Sequence, residues 1–251
     1  MTARPALEIA VTSPAGARAA RENGADRVEL CTALELGGVT PSAALVEAVA
    51  AEGLPVQVLV RCRPGDFVHD ADEVALMVAE VRSVIASGAA GVVVGALTAD
   101  GALDTGAVAR LAEAARTADR PVDVTLHRAI DQSADPVAAA ALLPSLGLTR
   151  VLTSGGAPAA AEGLAAITAM VAAAPGVEVM AGGGVRLADI PALAAAGVAA
   201  VHLSAKVRAP RRPGSVWVPL GAGGASAEQD THFVTDPGVV AAARRALDAT
   251  D

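Results

Sequence analysis

Eight short apolar runs, separated by alanine-rich stretches of helical length, constrain this 251-residue chain more than any other feature. Four runs follow a proline: Pro5 before Leu-Glu-Ile-Ala-Val, Pro55 before Val-Gln-Val-Leu-Val, Pro121 before Val-Asp-Val-Thr-Leu, and Pro175 before Gly-Val-Glu-Val-Met. The other four open shortly after a glycine. Gly24 leads to Arg-Val-Glu-Leu-Cys, Gly88 to Gly-Val-Val-Val-Gly, Gly147 to Arg-Val-Leu-Thr-Ser, and Gly197 to Ala-Val-His-Leu-Ser. The intervening segments 14–23, 42–52, 72–87, 105–118, 135–146, 158–174 and 187–196 read as helices, and 236–247 closes the series. Several begin at cap-like residues (Asp135-Pro136, Asp236-Pro237) and several end at the glycine that opens the next run. Strands that alternate with helices pair in parallel through right-handed crossovers. Eight such units in one chain of this length predict a (β/α)8 TIM barrel, a single domain over residues 1–251. A doubly wound open sheet would not call for eight units in a fourfold pairing.

Side chains alternate faces along a strand, so polar residues recurring at one parity mark the face turned to the lumen. In the proline-type runs that parity carries Glu8, Gln57, Asp123 and Glu178, then Ala10, Leu59, Thr125 and Met180, then Thr12, Arg61, His127 and Gly182. In the glycine-type runs it carries Glu29, Val93, Leu152 and His202, then Cys31, Gly95, Ser154 and Ser204. The opposite parity is almost purely aliphatic and is expected to face the helices. With 53% hydrophobic but only 1% aromatic residues, the core must be built from Val, Leu, Ile and Ala.

The net charge of −8 is carried with scattered arginines, which argues against a nucleic-acid surface. No run reaches the roughly 18 uncharged apolar residues of a membrane span, and Met-Thr-Ala-Arg-Pro opens no signal-peptide core. A cytoplasmic protein without membrane partners is therefore expected; assembly into a homo-oligomer stays open. The two cysteines, Cys31 and Cys62, then read as thiols rather than a disulfide.

The upper lumen and rim are expected to gather Glu29, Cys31, Arg61, Arg63, Asp66, His127, Arg128, Asp131, Thr153, Ser154, His202 and Ser204. Glu29, Arg61, His127, Arg128 and His202 are the candidate catalytic residues, although Arg61 and Glu29 on neighbouring strands equally suit a buried ion pair. Glu8, Gln57, Asp123 and Glu178 sit lower and read as a structural polar layer. Gly182-Gly183-Gly184, between a strand and a helix-like segment, with Ser204 opposite, predicts an anion cradle of backbone N–H groups at a helix N-terminus. A tight turn is the simpler alternative. Lys206, the sole lysine, reads as solvated. The segment 207–235 is long for a connection and is placed to cover the mouth.

Several motifs together resemble the CutC copper-homeostasis family. They are Asp26–Cys31, Leu36–Pro41, Gly65-Asp66-Phe67, Gly95–Thr98, His127-Arg128-Ala129, Leu152–Gly155, Gly182–Val185 and His202–Ala205, in matching order across residues 7–205. The resemblance implies a TIM barrel and a cytosolic copper-binding protein with cysteine ligands, Cys31 and Cys62 here. Soft thiolates suit Cu(I). Ala10 stands where the family often has a further cysteine, and Cys62 where it usually has a proline. Two readings follow: copper binding through Cys31 with Cys62 or His127 beside it, or an enzyme acting on a small phosphorylated or carboxylated metabolite. A purely structural barrel explains neither the lumen charges nor the glycine turn.

Overall fold

The computed structural model describes residues 4–210, 216, 218 and 232–250. Eight parallel strands close into a barrel in chain order. They are β1 (Ala6–Val11), β2 (Arg27–Leu30), β3 (Val56–Leu59), β4 (Gly91–Val94), β5 (Asp123–Leu126), β6 (Arg150–Thr153), β7 (Glu178–Gly182) and β8 (Ala200–Leu203), with β8 pairing back onto β1. The helices between them are α1 (Pro14–Glu22), α2 (Ala43–Ala50), α3 (Ala71–Ala86), α4 (Thr105–Arg116), α5 (Pro136–Leu146), α6 (Leu164–Ala173), α7 (Ile190–Ala195) and α8 (Pro237–Asp248).

The helix starts follow the sequence locally. Ser13 Oγ accepts from Gly16 N at 3.1 Å, Asp135 and Asp236 cap helices that open on proline, and Asp70 with Glu73 forms a full capping box. Each cap satisfies backbone N–H groups that the first helical turn leaves without an internal partner. Val28, Leu30, Val58, Val92, Val94, Val124 and Leu126 alternate outward and are buried against the helices in one aliphatic core. The inner face carries smaller apolar clusters, Cys31 with Leu59 and Val93, and Leu152 with Met180 and Ala200. The strand parity thus sorts apolar from mixed residues as the alternation predicts.

Three expectations need correction. The segment 158–174 is helical only from Leu164; before it, Ala160 N donates to Gly183 O at 2.9 Å, so the chain is tied to the neighbouring loop instead of to itself. The segment 187–196 opens as a 3₁₀ turn (Leu187–Asp189), closed by Asp189 Oδ2 accepting from Arg186 N at 3.0 Å. The α-helix after the glycines starts three residues later, at Ile190-Pro191, and is six residues long. No regular helix N-terminus abuts the glycine turn. Finally, the ends of segment 207–235 form an antiparallel pair, β9 (Lys206–Arg208) with β10 (Phe233–Thr235), which the strand count omitted. Most of the segment expected to cover the mouth, residues 211–215, 217 and 219–231, lies outside the described residues.

Candidate active site at the barrel mouth

A cavity of about 330 Å³ opens at the carboxyl ends of the strands, where barrel enzymes build their sites. Glu29, Cys31, Arg61, His127, Arg128, Gly183, Gly184, His202 and Ser204 all line it. Gly182 is packed just beneath, with no room for a Cβ between Leu152 Cδ1 and His202 Cβ. Cys62 is not among the lining residues, so the two cysteines do not share the cavity; Ala10 lines it instead. Arg63 and Asp66 also lie off it, paired with each other at 3.1 Å.

On one wall, strands β8, β1 and β2 bring a charged cluster together. Register sets Glu8 beside both Arg27 and His202, and Ala10 beside Glu29. Arg27 Nε donates to Glu8 Oε2 at 2.5 Å, and Glu8 Oε1 lies 2.9 Å from His202 Nδ1. Burial alone would push the Glu8 carboxyl up, but the hydrogen bond and charge of His202 and the Arg27 guanidinium hold it at about 2. For His202 burial favours the neutral ring, yet the Glu8 hydrogen bond and the charges of Glu29 and Glu8 outweigh it and raise the imidazole above its ordinary value. With Nδ1 committed to Glu8, Nε2 is the ring atom left to meet a ligand.

Glu29 differs. Its Oε2 is buried without a hydrogen-bond partner, 3.8 Å from His202 Nδ1. Burial, reinforced by the Glu8 charge and only partly offset by His202, pushes its carboxyl up to about 7. The Glu29–Arg61 pair is absent. Arg61 spends its guanidinium on carbonyls, Nη1 on Gly38 O at 3.1 Å and Nη2 on Gly65 O at 2.7 Å, and lies 4.9 Å from the Phe67 ring centroid. These loop carbonyls lie after β2 and β3, nearer to the guanidinium than the neighbouring strand's carboxylate. Among the described residues Arg61 has no carboxylate partner, so its charge stays uncompensated beside the cavity.

Opposite, at the ends of β5 and β6, Asp131 organises a second cluster. It accepts from Thr153 Oγ1 at 2.6 Å, from Ser154 N at 3.0 Å and from Gly156 N at 3.1 Å, and binds Arg128 Nε at 2.7 Å. Arg128 Nη2 donates to Ser154 Oγ at 2.8 Å, which fixes the guanidinium across the mouth. His127 Nδ1 accepts from Ala129 N at 3.1 Å, so the ring proton sits on Nε2, which is buried without a partner. Burial first, and the Arg61 charge second, hold His127 at about 3, hence neutral. A neutral imidazole with a free N–H is a hydrogen-bond donor rather than a base.

The glycine turn fits against Arg128. Gly183 has φ +97°, and a Cβ there would meet Arg128 Cζ at 2.7 Å. The backbone requires glycine, and with any side chain here the guanidinium would have to shift. Gly183→Ala is therefore expected to lose about 2 kcal/mol of stability and to displace Arg128. Melting curves with and without phosphate check this. A variant that keeps both its stability and the full phosphate-induced shift would show that neither constraint operates.

The sequence reading placed Glu8 in a structural layer and passed over Arg27 and Arg150. Parity was the available signal, since Arg27 is two residues before Glu29 and Arg150 two before Leu152. Arg150 Nε donates to Glu178 Oε2 at 2.7 Å in the lower layer. Lys206 is exposed but reaches the cavity edge, 4.5 Å from the Phe233 ring centroid.

The CutC family model matches residues 6–207. The chain is 44% identical over 200 residues to a family protein CutC of Klebsiella pneumoniae (strain 342), covering 79% of each, and 46% identical over 188 residues to one of Agrobacterium fabrum, covering 74% and 73%. A crystal structure named for the copper homeostasis protein CutC of Streptococcus agalactiae superposes with a TM-score of 0.72 at 27% identity, over 81% of this chain and 99% of that one. The thiamine phosphate pyrophosphorylase of Pyrococcus furiosus, at 12% identity and a TM-score of 0.59, shares the fold alone. Barrel, motifs and relatives agree, and the chain belongs to the CutC family.

Proposed function

We propose that the chain is an enzyme that moves a proton on a small phosphorylated or carboxylated metabolite bound in the barrel mouth. One observation carries this reading: Glu29 keeps a buried, unpartnered carboxyl oxygen on the cavity wall with its pKa lifted to about 7. That value suits a group that gives and takes protons near neutral pH. Arg61, Arg128 and Lys206 supply positive charge around the same cavity. The anionic group would lie against Gly183, Gly184 and the Arg128 guanidinium. The Nε2–H of neutral His127 would donate to an oxygen that gains charge, and Glu29 with His202 would transfer the proton.

Copper handling is the second reading, favoured by the name of the Streptococcus agalactiae relative and by Cys31, whose thiol lines the same cavity. The donor set fits it poorly. Burial first, then the charges of Glu29 and Glu35, lift the Cys31 thiol from 9.0 to about 12, which opposes the thiolate by about 4 kcal/mol. Among the described residues Cys31 belongs to no group of three convergent metal-ligating side chains.

A thermal-shift screen of phosphorylated and carboxylated metabolites, with Cu(I) as a separate arm, distinguishes the two. A ligand at 100 times its Kd stabilises by about 2.7 kcal/mol, roughly 5–10 °C for a chain of this size. Arg128→Ala should lose most of that shift. If no anion shifts the melting temperature, while Cu(I) shifts the wild type and not Cys31→Ser, the enzyme reading fails and the copper reading stands.

A further inference from the structure

The geometry points to a zinc-type metal site at Cys62, His69 and Glu73, separate from the mouth cavity and built on the loop between β3 and α3. The donor atoms of these three side chains lie within 4.8 Å of one another. His69 Nδ1 is 3.3 Å from Glu73 Oε2 and 4.0 Å from Cys62 Sγ. In a tetrahedral zinc site, bonds of about 2.0–2.3 Å hold the donors roughly 3.3–3.8 Å apart. The carboxylate–imidazole spacing already matches, and the thiol, 4.0 Å from Nδ1, has to close in to complete the set.

Two features separate this set from a catalytic relay or an accidental contact. A thiol–imidazole–carboxylate relay uses the two ring nitrogens in series. Here thiol and carboxylate converge on the same nitrogen. His69 is also fully buried at its side chain (0% exposed), while its other nitrogen, Nε2, is buried without a partner. An imidazole so enclosed is held in one place, with Nδ1 as the nitrogen turned to both the thiol and the carboxylate.

The surroundings hold the carboxylate ready. Arg63 Nε donates to Glu73 Oε1 at 2.5 Å and its Nη2 to Oε2 at 3.3 Å, while Asp70 N donates to Oε2 at 3.1 Å in the capping box of α3. Outer partners of this kind orient a ligand before the ion arrives. Glu73 is 25% exposed at its side chain, which leaves an entry and a place for a water as fourth ligand. The thiolate would supply one negative charge to a divalent ion, and Glu73 a second that it shares with Arg63. The carboxylate oxygen makes the set harder than Cu(I) prefers and suits Zn(II).

Co(II) serves as the spectroscopic stand-in for Zn(II). Reduced protein, stripped with a chelator and titrated with Co(II), should take up one equivalent, with a thiolate-to-cobalt charge-transfer band and strong tetrahedral ligand-field bands that Zn(II) abolishes. Cys62→Ser should remove the charge-transfer band and His69→Gln should weaken the ligand-field bands, whereas Cys31→Ser should leave both. Absence of a charge-transfer band in the wild type overturns the site. So does a band that survives Cys62→Ser and disappears in Cys31→Ser, which would move the metal into the cavity. Should His69→Gln fail to fold, the half-buried Cys62 decides the matter alone. The cobalt spectrum is independent of anion binding in the mouth, so this site and the proposed enzyme stand or fall separately.

Discussion

At pH 8 the Glu29→Gln protein is expected to melt roughly 5–10 °C above the wild type. Glu29 is 7% exposed, and burial lifts its carboxyl from 4.5 to about 7. The folded state therefore keeps a proton that the unfolded chain releases near pH 4.5. The stability this contributes is fully present below pH 4.5 and is lost as the pH rises through about 7. Glutamine has the shape of the protonated carboxyl and never ionises, so above pH 7 it avoids a penalty of about 3 kcal/mol. At pH 4 the two proteins should melt together. Equal melting temperatures at pH 8 would show that Glu29 is not the buried, proton-holding group described here. The same substitution removes the proposed proton carrier. Turnover of any metabolite identified by the screen should fall about 10²–10⁴-fold, so the variant would be more stable and less active.

Arg27→Met should act in the opposite direction and as strongly. Glu8 is 1% exposed and ionised, held by Arg27 at 2.5 Å and by His202 at 2.9 Å. Removing one partner of a buried ion pair leaves an uncompensated charge and costs about 3–5 kcal/mol, roughly 10 °C in melting temperature. Adding Glu8→Gln to Arg27→Met should recover part of the loss, because the stranded charge is gone. A double variant as unstable as the sum of the two single ones would mean that the pair is not coupled. The acid limb follows from the same cluster. With the Glu8 carboxyl lowered from 4.5 to about 2, its contribution is present above pH 4.5 and is lost as the pH falls towards 2. Wild-type stability should therefore fall on the acid side through Glu8 and on the alkaline side through Glu29.

The division between what was legible and what was not follows the range of the interactions. Proline- and glycine-opened runs specify eight strands because turn chemistry and apolar alternation act over a few residues. Parity then places Glu29, Arg61, His127 and His202 on the cavity side, since a strand's side chains alternate whatever surrounds them. The lower layer of Gln57, Asp123 and Glu178 was readable for the same reason. The glycine turn was visible, but its N-terminal helix was not there, because Asp189 folds back on Arg186 and Pro191 sets the start of α7.

Which lumen charges pair is another matter. Glu8 and His202 are 194 residues apart, and only closure of β8 onto β1 puts them side by side. Arg61 and Glu29 on neighbouring strands suited an ion pair as well as a catalytic role, and the loop carbonyls of Gly38 and Gly65 take the guanidinium instead. The unpartnered oxygen of Glu29, the neutral state of His127 and the high pKa of Cys31 are properties of burial, which no strand pattern encodes. Cys62, His69 and Glu73 lie within twelve residues of each other, and still only the fold of the loop shows that they meet at one nitrogen. By itself the sequence determined the barrel and the face each side chain takes, because both rest on local geometry. The tertiary structure alone decided which groups share charges and protons, because distance through the closed barrel and exclusion of water set those energies.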